Sequence, residues 1–96
     1  MPHLTWSDTA ISDLQRVYHF LAAKDRQVAA VAIKRIRMDV SRIAQQPFLG
    51  RPVASERESR REWLVVFGSS GYVVQYEIRH DHVVILRVKH QREKPF

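Results

Sequence analysis

Cysteine is absent from all 96 residues, which excludes disulfides and thiolate-held metals and fits a reducing cytosol. Long apolar runs are missing too, the longest being short and strand-like, so no transmembrane helix is expected. The opening Met1-Pro2-His3-Leu4 lacks the basic-then-apolar pattern of a secretory signal. Neither a low-complexity tract nor an internal repeat interrupts the chain. We therefore expect one soluble, cytoplasmic domain spanning residues 1–96. Hydrophobic residues make up 45% of it, enough for a single core with little stability to spare.

Acidic residues are the minority charge. Ten Asp and Glu stand against sixteen Lys and Arg, a formal net charge of +6, and most of the cations are arginine. That balance favours polyanions, acidic protein partners, or both. The guanidinium fork suits phosphates and carboxylates equally, so composition leaves RNA, DNA and an acidic protein open.

What is present divides by period. His3 to Trp6 reads as a short strand with Leu4 and Trp6 on one side. Ser7 is placed to cap a helix with Asp8 near its positive end. Ala10, Ile11, Leu14, Val17, Tyr18 and Leu21 recur at helical spacing to about Lys24. Asp25 caps a second helix whose buried stripe is Ala29, Ala32, Ile33, Ile36, Val40 and Ile43, with Lys34, Arg35, Arg37 and Arg42 mostly on its wet side. Pro47 ends it. Pro47 to Pro52 reads as a loop, continued by the charged stretch Ser55 to Arg60.

From Arg61 the period becomes two. Trp63, Val65 and Phe67 share one face of a strand, followed by a turn through Gly68-Ser69-Ser70-Gly71. Tyr72, Val74, Tyr76 and Ile78 share one face of the next strand. After His80-Asp81-His82, Val84, Leu86 and Val88 give the core face of the last. The fold class is α+β, in the order β-α-α-β-β-β, with an antiparallel helical hairpin packed on one face of a small antiparallel sheet. By the same alternation the other face carries Leu64, Val66, Val73, Val83 and Ile85 among Gln75, Glu77, Arg79, Arg87 and Lys89. Little chain remains to cover it, and a half-apolar, half-basic face predicts a partner.

Read together, several segments resemble the RelE/ParE toxin superfamily, and its ParE branch in particular. They are Trp6-Ser7 opening a helix that continues through Asp13-Leu14 and Tyr18; Pro47 with Leu49-Gly50-Arg51-Pro52; Tyr72-Val73-Val74-Gln75-Tyr76-Glu77; Val83-Val84-Ile85-Leu86-Arg87-Val88; and His90 with Arg92. The resemblance implies a toxin neutralised by a cognate antitoxin, usually encoded beside it, whose C-terminal segment is often acidic. On that reading Leu64, Val66, Val73, Gln75, Arg79, Val83, Ile85, Arg87 and Lys89 are the candidate antitoxin-binding residues, with a groove beside the helices as an adjoining surface. Isolated members are monomers or dimers.

Two mechanisms follow from the resemblance. ParE-type members poison DNA gyrase; RelE-type members cleave messenger RNA on the ribosome. Cleavage by 2′-hydroxyl attack needs a base, a stabilised phosphate and a proton for the leaving oxygen. Arg61, Arg79, Arg87 and Arg92 are the candidate cations, with His90 the candidate proton carrier. The tyrosine that RelE-like relatives often place near their end is missing, which favours the gyrase reading. By strand parity His90 also has a structural role open to it, capping the core at the sheet edge, and that role is preferred. No metal site is expected, since His80 and His82 in a turn lack a further ligand, and no cofactor is implied. Arg35 and Asp39 read as a solvated ion pair, and Trp6 and Trp63 as packing anchors.

Overall fold

A computed structural model of the chain describes residues 3–53 and 59–93. Strand β1 (His3–Trp6) leads into helix α1 (Asp8–Ala22), and α2 (Arg26–Gln45) follows after a three-residue turn. Both helix starts are set by side chains that satisfy otherwise unpaired amides. Ser7 Oγ accepts from the Ala10 N–H, and Asp25 accepts from the N–H groups of Gln27 and Val28. The helices present Ala10, Leu14 and Val17, then Ala32, Ile36, Val40 and Ile43, to the core. One 3₁₀ turn (Pro47–Leu49) ends the helical part, with Pro47 at its first position.

The sheet has five strands in the order β1-β5-β4-β3-β2, where β2 is Arg51–Pro52, β3 Arg60–Phe67, β4 Ser70–Arg79 and β5 His82–His90. Strands β3 and β4 meet through a two-residue turn in which Gly68 has φ 62, a conformation a glycine adopts without strain. Val65, Tyr72, Val74, Tyr76 and Val88 face the helices and are buried.

Three features differ from the sequence reading. The sheet is mixed, because β1 pairs parallel with β5; α1, α2 and three strands separate the pair, and alternation carries no information on direction. Strand β2 has two residues, too few to show a period, so it reads as loop. In β5 the core phase changes midway. Gln75 pairs with Arg87 but Tyr76 with Ile85, so Leu86 is an extra residue and the strand turns over around it. Val83 and Ile85 therefore lie in the core, 1% and 0% exposed, whereas Val84 lies across from Glu77 outside the core cluster. Of the loop expected through Arg60, residues 54–58 lie outside the described residues and Arg60 is already strand.

Candidate functional site

Strand β1 covers only the first half of β5, ending where Trp6 meets Ile85. Past that point side chains replace the missing neighbour. The Ser7 N–H and Oγ donate to the carbonyls of Ile85 and Leu86 at 2.9 and 3.0 Å. Asp13 Oδ2 accepts from the Val88 N–H at 2.9 Å, Arg16 donates to the Val88 carbonyl at 3.3 Å, and Glu93 accepts from the His90 N–H at 2.9 Å. This need for an acceptor explains why Asp13 is buried; Ile11 and Tyr18, expected in the apolar stripe, are 44% and 37% exposed.

The same residues form a charge network. Asp13 also accepts from Arg87 Nε at 2.9 Å and lies 3.5 Å from Arg16, which grips both Glu93 oxygens at 2.8 Å. Burial pushes the Asp13 carboxyl up, but the Arg87 hydrogen bond, the Val88 amide and the charges of Arg87 and Arg16 outweigh it, so its pKa lies below the usual value. Glu93 behaves alike: burial raises it, and the Arg16 bond, the His90 amide and nearby positive charge bring it below its ordinary range.

Beside this network a groove of about 700 Å³ separates α1 from the strand ends. Val17, Phe20 and Leu21 form one wall, Phe67 and Tyr72 the other, and Arg16, Lys24 and Arg92 add positive charge. Phe20 is 66% exposed; its place outside the helical stripe gave no signal in the sequence. Tyr72 is buried and its hydroxyl is pushed up in pKa by that burial and then by the Glu93 charge, so it stays protonated.

His90 reaches this groove, but both ring nitrogens are occupied. The Arg92 backbone N–H lies 3.1 Å from Nδ1 and can only donate. Nδ1 is therefore the unprotonated acceptor, and Nε2 carries the hydrogen toward Ser70 Oγ at 2.6 Å. The ring also packs edge-on against Tyr72 at 5.3 Å. Arg61 donates to the Gly50 carbonyl at 2.6 Å and stacks 4.8 Å over Phe48, Arg79 bonds Glu77 at 2.8 Å, and Arg87 bonds Asp13. The five candidate catalytic residues do not converge. Arg79 pairs with His82 and Tyr72 with His90, eight residues along β5, so Arg79 and His90 stand about 26 Å apart along the strand. Only His90 and Arg92 share the groove.

On the sheet face away from the helices, register places Leu64 beside Val73 and Lys89, and Glu62 beside Gln75 and Arg87. Leu64 and Val66 are 48% and 57% exposed, with Val73 and Gln75 half-buried. Arg60 and Arg79 flank the buried Glu77 at 3.5 and 2.8 Å, and Lys89 donates to the Glu93 carbonyl at 3.3 Å. Val83 and Ile85 do not belong to this face, since the β5 bulge turns them inward. Asp39 is no partner of Arg35; it is buried and accepts from the Trp63 indole at 3.0 Å. Among the described residues no cluster of His, Asp and Glu could hold a metal, and no helix is long and apolar enough to cross a membrane.

A two-helix hairpin on a five-strand mixed sheet is the α+β architecture of the RelE/ParE toxin superfamily. The family described as ParE toxin of type II toxin-antitoxin system, parDE, matches residues 4–95. The chain belongs to that family and is a toxin of the type II toxin–antitoxin class. It is 35% identical over 82 residues to Toxin RelE3 of Caulobacter vibrioides, covering 85% of this chain and 86% of that one. A chain of the chromosomal ParDE TA system from P. aeruginosa shares the fold, with a TM-score of 0.71 at 22% identity over 94% of this chain and 96% of that one. The toxin–antitoxin complex RelBE2 from Mycobacterium tuberculosis contributes a chain with a TM-score of 0.58 at 26% identity, covering 95% and 100% respectively.

Proposed function

We propose that this toxin disables DNA gyrase by binding, with no reaction of its own, and that a cognate antitoxin silences it by covering the open sheet face or the α1 groove. The observation that carries this reading is the occupied, dispersed state of the residues that RNA cleavage would need. His90 has neither ring nitrogen free, Arg61, Arg79 and Arg87 each hold a partner of their own, and these groups are spread along the sheet. Poisoning by a bound protein needs a surface instead, and the chain offers two. Leu64, Val66, Val73, Gln75, Arg79, Arg87 and Lys89 stay as antitoxin-binding candidates on the sheet face, while Val83 and Ile85 are withdrawn.

Inducing the gene alone in bacteria separates the targets. Gyrase poisoning produces DNA-damage signalling with messenger RNA intact, and His90→Ala stays toxic if it remains folded. Ribosome-dependent cleavage would instead produce cuts within translated codons that His90→Ala or Arg87→Ala removes.

A further inference from the structure

We propose that the exposed face of α2 binds the phosphate backbone of duplex DNA, without regard to base sequence. The proposal rests on the gyrase reading and deepens it: a poison that holds gyrase on DNA meets a duplex at its target, and α2 is the part that touches it.

The net charge of the chain is not spread evenly. Helix α2 holds Arg26, Lys34, Arg35, Arg37 and Arg42 against Asp39 alone, so four of the six net positive charges lie on 20 residues. Asp39 does not offset them at the surface, because it is 8% exposed and accepts from the Trp63 indole. The arginines that hold a carboxylate are Arg16, Arg51, Arg60, Arg79 and Arg87, all on other elements. Among the described residues no carboxylate pairs with any cation of α2. Exposed cations left without a local partner are a footprint for a polyanion.

Their placement selects the polyanion. At 3.6 residues per turn, Arg26 and Arg37 fall on one flank of the exposed face, Arg35 and Arg42 on the opposite flank, and Lys34 between them, over about 24 Å of helix. Lys34 and Arg37 border the shallow groove where Tyr18 of α1 meets Ala30 and Ser41. On the far side Arg42 lies over the Trp63 ring, 5.7 Å from its centroid. The crest between the flanks carries Val31 and Met38, 57% and 55% exposed, and no acid. A convex rod about 10 Å across with cations on both flanks matches two rows of phosphate bordering a groove about 12 Å wide. An acidic patch on a protein would engage one flank and leave the other in solvent. A second copy of the chain would set like charge against like.

The test uses the full chain, a labelled duplex of about 20 base pairs and fluorescence anisotropy from about 50 to 200 mM salt. Arg35→Gln with Arg37→Gln removes one cation from each flank and keeps a good helix former at both positions. The slope of log affinity against log salt should shrink by about 2. Lys24→Gln with Arg51→Gln removes the same charge from other elements and should change the slope by less than about 0.5. With gyrase and supercoiled plasmid, the α2 pair should need about tenfold more toxin for the same linear DNA. Equal slopes for the two pairs overturn the proposal, since charge would then act from anywhere on the surface. Wild-type poisoning of gyrase that the α2 pair matches overturns it too, and leaves the gyrase reading intact. Duplex binding through α2 with gyrase unaltered overturns the gyrase reading and leaves the DNA contact standing. Tighter binding through α2 to a single-stranded RNA of the same length assigns the face to RNA and overturns the proposal. Loss of gyrase capture in the absence of DNA, with duplex affinity unchanged, assigns it to an acidic protein surface and overturns it as well.

Discussion

At the scale of single residues, function follows from which polar atoms are already engaged. Asp13 is the clearest case: one buried carboxylate supplies the acceptor that β1 would have supplied and neutralises Arg87. Asp13→Asn keeps the shape but loses the charge, and should cost about 2 kcal/mol in a denaturant titration. The acid dependence has a definite sign. Asp13 and Glu93 have folded pKa values below their ordinary 3.8 and 4.5, so the unfolded chain binds more protons as pH falls. Their contribution is complete above about pH 5 and is lost as pH drops through the lowered folded values. Melting temperature against pH should show that acid limb, and Asp13→Asn should flatten it. None of this was legible in the sequence, where Asp13 stands beside Leu14 only as part of the segment that carries the family resemblance.

Among the elements, the segment from Pro47 to Pro52 shows how a motif acquires physical meaning. The Tyr76 hydroxyl donates to the Pro47 carbonyl at 2.6 Å and accepts the Gly50 N–H at 2.8 Å, pinning the 3₁₀ turn to β4. At Gly50 a Cβ would fall 2.5 Å from that hydroxyl and 2.6 Å from the Glu62 carbonyl, and the latter is backbone that cannot swing away. Gly50→Ala should therefore destabilise by about 2–3 kcal/mol in thermal or chemical melts. Tyr76→Phe should cost about 1–3 kcal/mol for the stranded polar groups, with the Gly50 amide exchanging faster. Helix boundaries were legible because Ser7, Asp25 and Pro47 act locally. The phase of β5 was not, because nothing in Val83-Val84-Ile85-Leu86 marks Leu86 as the extra residue; only pairing with β4 reveals it. That single residue decides whether Val83 and Ile85 serve the core or a partner.

At the scale of the whole molecule, the described residues concentrate their packing on one side of the sheet and leave a basic, partly apolar surface on the other. A net charge of +6 should make antitoxin association salt-dependent, with the on-rate falling as ionic strength rises and the off-rate changing less. The family and the fold were readable from the order of the segments, whereas the α1 groove, built by Phe20, Phe67 and Tyr72 from three elements, exists only after folding. The central claim is that toxicity needs a surface and no reaction. Titrating purified toxin into gyrase and supercoiled plasmid tests it most directly. Linear DNA should accumulate in proportion to the molar ratio of toxin to gyrase and level off near saturation, equally for folded His90→Ala. Unaltered gyrase at a large excess of toxin, with messenger RNA cut when the same toxin is added to a translating extract, would contradict the account.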